Sequence, residues 1–80
     1  MSHAIFTKIS EMIALSAGIP LEKISSESKF QDLGMDSLDA LALISDLEEE
    51  YKIKIPNQEL LKIRAVGQAV ESLYNRIAQS

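Results

Sequence analysis

Asp32-Leu33-Gly34-Met35-Asp36-Ser37-Leu38-Asp39 is the stretch on which the reading of the fold turns. Gly34 permits a tight turn. Asp36 or Ser37 then caps a helix, because a short oxygen-bearing side chain takes an N–H group that the first turn leaves unpaired. Leu43, Ile44, Leu47 and Tyr51 follow at helical spacing, so this helix runs from Asp36 or Ser37 to about Tyr51. Upstream, Gly18 to Asp36 is a long connection holding Ser25, Ser26 and Ser28. Its Ile24, Phe30 and Leu33 are spaced too irregularly for a helix and read as plugs into a core. A loop of that length in so short a chain has to pack or to function.

Working outward, Ile5, Phe6, Ile9, Met12, Ile13 and Ser16 mark a first helix, with Ser2 available as its cap and Gly18 and Pro20 as its stop. Lys52 to Ile55 alternates polar and apolar residues but is too short for a strand of its own, and reads as an extended link ending at Pro56. Asn57 is placed to cap a short third helix through Leu60, Leu61 and Ile63. Val66, Ala69, Val70, Leu73, Tyr74 and Ile77 share one side of a last helix. The expected fold is all-α: a small four-helix bundle of three longer helices and one short one, with a long loop between helices 1 and 2, as a single domain over residues 1–80.

Composition narrows the function. The chain has 80 residues, 46% of them apolar, and no cysteine. That fits a small globular domain of a reducing cytoplasm, without disulfides or thiolate chemistry of its own. No apolar run approaches the roughly 20 residues that span a bilayer, and the start lacks a secretory signal pattern. Between Phe30 and Tyr51 lie Asp32, Asp36, Asp39, Asp46, Glu48, Glu49 and Glu50, with no Lys or Arg. This block of −7 is set against +3 elsewhere, giving the net −4. A basic footprint for nucleic acid is absent from the pattern, whereas a concentrated acidic block steers cationic partners, unless it is only a solvated helix face.

Ser37 is the candidate for chemistry. A serine at a helix start is exposed at the positive end of the helix dipole, where an attached phosphate is favoured. Asp36 and Asp39 flank it, placed to meet a basic partner or its metal ion. Taken alone, Asp-Ser-Leu is equally an ordinary helix cap. Serine hydrolysis is excluded despite the likeness of Gly-Met-Asp-Ser-Leu to an esterase motif, since the one histidine, His3, lies at the terminus and no base with an orienting partner accompanies it. No catalytic set and no metal site is expected, and the alternating acids of a calcium loop are missing.

The run Phe30 to Asp39, followed by Leu47-Glu48-Glu49-Glu50-Tyr51 and Ile53-Lys54-Ile55-Pro56, resembles the acyl carrier proteins, in particular the freestanding carriers of type II fatty acid and polyketide synthases. The resemblance covers nearly the whole chain. It implies a carrier and not an enzyme. A phosphopantetheinyl transferase (holo-carrier synthase) would move 4'-phosphopantetheine from coenzyme A onto Ser37, between Asp36 and Leu38, and the arm's thiol would hold acyl groups as thioesters. Ketosynthase, acyltransferase and other acyl-processing partners with basic surfaces would then dock on Met35, Leu38, Asp39, Leu41, Ala42, Ser45, Glu48 and Glu49. A monomer is expected. An unmodified helical interaction module is the alternative, and Leu38 and Leu41 are alternatively core.

By position, Leu47, Ile55, Leu60, Ile63 and Ala69 match the lining with which family members shelter an acyl chain, each buried methylene contributing about 0.8 kcal/mol. Ordinary core is the competing reading of these five. The sequence also departs from the fatty-acid pattern. Ala42 stands where Glu is frequent and Ser45 where a larger apolar residue is common. The segment after Pro56, usually acidic, reads Asn57-Gln58-Glu59-Leu60-Leu61-Lys62, with Arg64 beyond. A specialised pathway, of the type II polyketide kind, is the expectation these departures raise.

Overall fold

Four helices form in the expected order in a computed structural model of the chain, which describes residues 3–79: α1 (His3–Ala17), α2 (Ser37–Tyr51), α3 (Asn57–Leu60) and α4 (Val66–Gln79). Ile5, Ile9 and Ile13 give α1 its buried stripe, and α1 packs along α4, which also receives α2. Ser16, expected on that stripe, is exposed; the stripe closes instead on half-buried Ala17, where the chain turns away. Gly18 ends α1 at φ 69°, a left-handed position that favours glycine, and returns its N–H to Ala14. The expected Ser2 cap lies outside the described residues.

Val66, Ala69, Val70 and Leu73 of α4 are all buried, facing Leu43, Ile44 and Leu47 of α2 and the isoleucines of α1 within one core. Tyr74, expected on the same side, is 47% exposed. It sits one position past Leu73, so it turns toward the rim of the stripe. Ala65 precedes α4 without a capping oxygen. The side chain of Gln68 supplies one instead, Oε1 accepting from the N–H groups of Arg64 and Ala65 at 2.8 and 3.0 Å. Three residues into a helix, a Gln or Glu is placed to reach back in this way.

The third helix is shorter than its sequence suggests. Pro56, not Asn57, stands at the cap position, with φ −60° already set for helix entry, and Asn57 is the first helical residue. The helix stops at Leu60 rather than continuing to Ile63. Leu61 then points to solvent at 75% exposure while Ile63 returns to the core at 8%. A four-residue helix has almost no stability of its own. Leu60 packs half-buried against the core, and an ion pair ties the helix across to α4, Arg76 donating to Glu59 at 2.8 Å.

The long loop packs. It contains two 3₁₀ turns, Leu21–Lys23 and Gln31–Leu33, and buries Ile24 and Phe30. Its second half lies against the start of α4 through backbone hydrogen bonds: Phe30 N–H to Arg64 at 3.0 Å, Val66 N–H to Ser28 at 2.9 Å and Gly67 N–H to Ser26 at 2.8 Å. One isolated antiparallel bridge, Lys29 with Ala65, results. Gly67 is needed here for closeness. A Cβ on it would lie 2.8 Å from the Ser26 carbonyl oxygen, a backbone atom that cannot swing aside.

Gly67→Ala therefore sets a helix-propensity gain of about 1 kcal/mol against an overpacking cost of roughly 1–3 kcal/mol and two strained backbone bonds. We expect a net loss of stability, read as a lower midpoint of thermal unfolding; an unchanged or higher midpoint contradicts the close packing. Hydrogen bonding from Arg76 holds the Glu59 carboxyl below its ordinary 4.5, outweighing desolvation, with Ser72 assisting. A carboxyl depressed in the folded state adds stability above its unfolded value and loses it as pH falls through the folded value. Wild type should thus melt above Glu59→Gln at neutral pH, and the gap should close as acid is added. A gap that is constant with pH would refute it.

Candidate functional site

The turn before α2 sorts neighbouring side chains into core and solvent. After the 3₁₀ turn Gln31–Leu33, Gly34 takes φ 81° and passes its N–H back to Gln31. Few residues other than glycine accept that conformation. Open space lies where a Cβ would be, so the requirement is conformational and not steric. The Met35 N–H then bonds to the Phe30 carbonyl at 3.0 Å, and the Met35 side chain enters the core at 5% exposure. This corrects the expectation that Met35 lies on an outer docking face. Its role is to anchor the turn. With Met35 facing in and Asp36 extended, Ser37 emerges at the surface as the first residue of α2.

Asp36 and Asp39 close a reciprocal capping box. Asp36 Oδ1 accepts from the Asp39 N–H at 2.9 Å and Asp39 Oδ2 from the Asp36 N–H at 3.4 Å. The sequence left the cap open between Asp36 and Ser37; the structure gives it to Asp36 and leaves the serine hydroxyl outside the cap. Asp36 also accepts the Ala40 N–H on its backbone carbonyl. Both aspartates are exposed and both are committed to the helix start. That commitment, together with the positive helix end, fits an anionic group esterified to Ser37.

From Ser37 one exposed stripe runs down α2. Leu38 (75% exposed), Leu41 (40%), Ala42, Ser45 and Glu49 fall on it, at spacings that place them on one helix face. The opposite face buries Leu43, Ile44 and Leu47, with Tyr51 half-buried. Leu38 and Leu41 are thus surface residues and not core. Glu48 departs from the expected outer face. It is half-buried, and its Oε2 accepts the Ile55 N–H at 2.6 Å. A side chain bonding the backbone seven residues on follows no local spacing rule, so periodicity did not expose it.

The five residues matched to an acyl shelter all belong to the single core of the domain or pack against it. Leu47, Ile55, Ile63 and Ala69 are buried, and Leu60 is half-buried against them. A separate open hollow, beside the N-terminal turn of α1, is lined by His3, Phe6, Ile24, Ser25 and Ser26. His3 is exposed there. No helix among the described residues is long and apolar enough to cross a membrane.

Comparison with known proteins converges on one family. The phosphopantetheine attachment site family matches residues 7–73. An acyl carrier protein of Wolinella succinogenes is 44% identical over 68 residues, 84% of this chain and 90% of the relative. One from Clostridium acetobutylicum is 45% identical over 67 residues, 82% of this chain and 87% of that protein. Among solved structures, a Thermotoga maritima acyl carrier protein superposes with a TM-score of 0.82 at 26% identity, covering 99% of this chain and 98% of the other. The acetyl actinorhodin acyl carrier protein of Streptomyces coelicolor has a TM-score of 0.76 over 99% and 93%, a likeness of fold at 19% identity. With its serine carried clear of the core on a capped helix, and with the family match running over residues 7–73, the chain belongs to the acyl carrier proteins, the family of the phosphopantetheine attachment site.

Proposed function

We propose that Ser37 is the attachment point of the phosphopantetheine arm, and that the chain acts through it as a non-catalytic acyl carrier of fatty acid or polyketide biosynthesis. One observation carries the reading: the Gly34 turn and the Met35 anchor bring the Ser37 hydroxyl to the surface at the capped start of α2. When attached, the arm supplies the thiol that this cysteine-free chain lacks. Ser37 holds the phosphodiester at the positive helix end, and Asp36 and Asp39 keep that helix end formed.

The stripe of Leu38, Leu41, Ala42, Ser45 and Glu49 is the proposed docking face for the phosphopantetheinyl transferase and for ketosynthase, acyltransferase and related enzymes. Apolar contact from the two leucines lies beside the arm, with acidic charge farther along. Surface charge of this kind speeds encounter and selects partners more than it deepens affinity, which suits a monomeric cytoplasmic shuttle that has to let go. Leu47, Ile55, Leu60, Ile63 and Ala69 are the proposed shelter for the acyl chain. Ala42, Ser45 and Arg64 are exposed where the general fatty-acid pattern differs, and they favour a specialised pathway.

Incubation with coenzyme A and a broad-specificity phosphopantetheinyl transferase, followed by intact mass, tests the attachment. One arm should appear on the wild type and none on Ser37→Ala; an arm on the variant, or none on the wild type, contradicts it. The pathway is tested by identifying the thioester on carrier purified from its own host. A single cargo or a narrow set is expected, and a full ladder of ordinary fatty-acid intermediates would rule the specialised pathway out.

A further inference from the structure

Between α2 and α3 three backbone N–H groups of the link bond to Glu48. Its backbone carbonyl takes the N–H of Lys52 and, at 2.9 Å, the N–H of Ile53. Lys52 itself is left-handed at φ 56°, the one described non-glycine residue with positive φ. The Glu48 carboxylate then takes the N–H of Ile55 at 2.6 Å. Ile55 is 1% exposed and its neighbour Pro56 caps α3. A buried N–H left without an acceptor is costly, and an ionised acceptor makes the stronger kind of bond. The carboxylate therefore fixes where the link enters the core.

On its far side α3 is tied to α4 by Glu59 and Arg76. The two fastenings are unequal in what they govern. Leu47 of α2 and Ile55 of the link lie in the one core and Leu60 of α3 packs against it, and any widening between α2 and α3 has to release Ile55 from Glu48. It can leave the tie to α4 whole. α3, with four residues, follows wherever its ends are held.

We infer that Glu48 is a latch: its bond to the Ile55 N–H sets how readily the bundle opens between α2 and α3, and so how long an acyl chain the carrier shelters. Glu48 is a positioning residue in this account, acting through the Ile55 backbone. The inference rests on Ser37 as attachment point and on the proposed shelter. Loss of a charge-assisted hydrogen bond of this kind moves an opening equilibrium by about tenfold to a hundredfold.

Two partner-free measurements test it, on wild type, Glu48→Ala and Glu48→Gln. The first is amide hydrogen exchange at Ile55 in the unmodified chain. It should quicken by about tenfold or more in Glu48→Ala and return toward wild type in Glu48→Gln, which keeps an acceptor oxygen. The second is cleavage of the thioester by hydroxylamine in carriers loaded with acetyl or octanoyl groups. Octanoyl cleavage should slow in Glu48→Ala relative to wild type, because the longer chain enters more readily, while acetyl cleavage stays the same. A merely loosened bundle would leave the ratio of the two rates unchanged or expose both. Unchanged exchange at Ile55, or a rate ratio equal to wild type's, overturns the latch. If the rates show no dependence on chain length in any of the three proteins, the shelter itself is refuted and the latch with it.

Discussion

Ser26, Ser28 and Phe30 share backbone hydrogen bonds with Gly67, Val66 and Arg64, and the presentation of Ser37 follows from those bonds. Ordering a backbone costs about 1–2 kcal/mol per residue, so a connection as long as that from Gly18 to Asp36 settles only if it finds partners. Ile24 and Phe30 supply burial, and the start of α4 supplies hydrogen-bonding edges in the right register. Phe30 is the hinge of the arrangement. Its N–H goes to Arg64 and its carbonyl receives Met35, so the loop's dock and the turn that exposes the serine share one peptide neighbourhood. Gly67 makes the approach possible by carrying no Cβ.

How much of this was legible in the sequence follows from the range of each interaction. The helices along α1, α2 and α4 declared themselves because burial on one face imposes a period near 3.6 residues on Ile9, Ile13, Leu43, Leu47, Val66 and Val70. The serine at a helix start was visible because caps and turns are local, with Gly34, Asp36 and Asp39 within a few positions of it. Met35 was misplaced for a related reason. Beside Ser37 in sequence it reads as surface, yet the left-handed residue before it reverses its direction. Glu48 looked like one more acid in a run of acids. Its partner, the Ile55 N–H, is a backbone group that carries no residue-type signal. Likewise Leu61 continued the apolar pattern of α3, and only the tertiary requirement that Ile63 reach the core ends the helix before it.

Small size explains why single side chains hold so much. With a radius of gyration of 11.4 Å the chain has room for one core, filled by all three longer helices. Around α3 that core receives Ile55 before the helix and Ile63 after it, with Leu60 half-buried from the helix itself. Two polar contacts add to that burial, the part-buried bond of Glu48 to Ile55 on one side and the pair of Glu59 with Arg76 on the other. A carrier that shelters a chain between α2 and α3 gains from this division. On the proposed reading, the long helices hold the turn that presents Ser37 and the short element is the part that yields.

The acidic block, seven carboxylates in sequence, is less uniform as a surface. Asp36 and Asp39 are occupied in the capping box, where the positive helix end offsets them in part. Glu48 is turned onto the Ile55 N–H, and Glu50 lies 3.5 Å from Lys8 of α1. Asp32, Asp46 and Glu49 remain exposed without a partner among the described residues. Exposed ion pairs such as Lys8–Glu50 are weak, about 0–1 kcal/mol, so a strongly basic partner can still draw on Glu50. Hydrogen-bonded carboxylates also keep their charge and add to the long-range field, but forming a direct contact with them means giving up the fold's own bonds. On the proposed docking face, steering therefore draws on the whole block, whereas close contact falls to a narrower set along the Leu38–Glu49 stripe. On that division, diluting the field with salt and removing a single stripe residue act on different stages of docking, the first on encounter and the second on the bound complex.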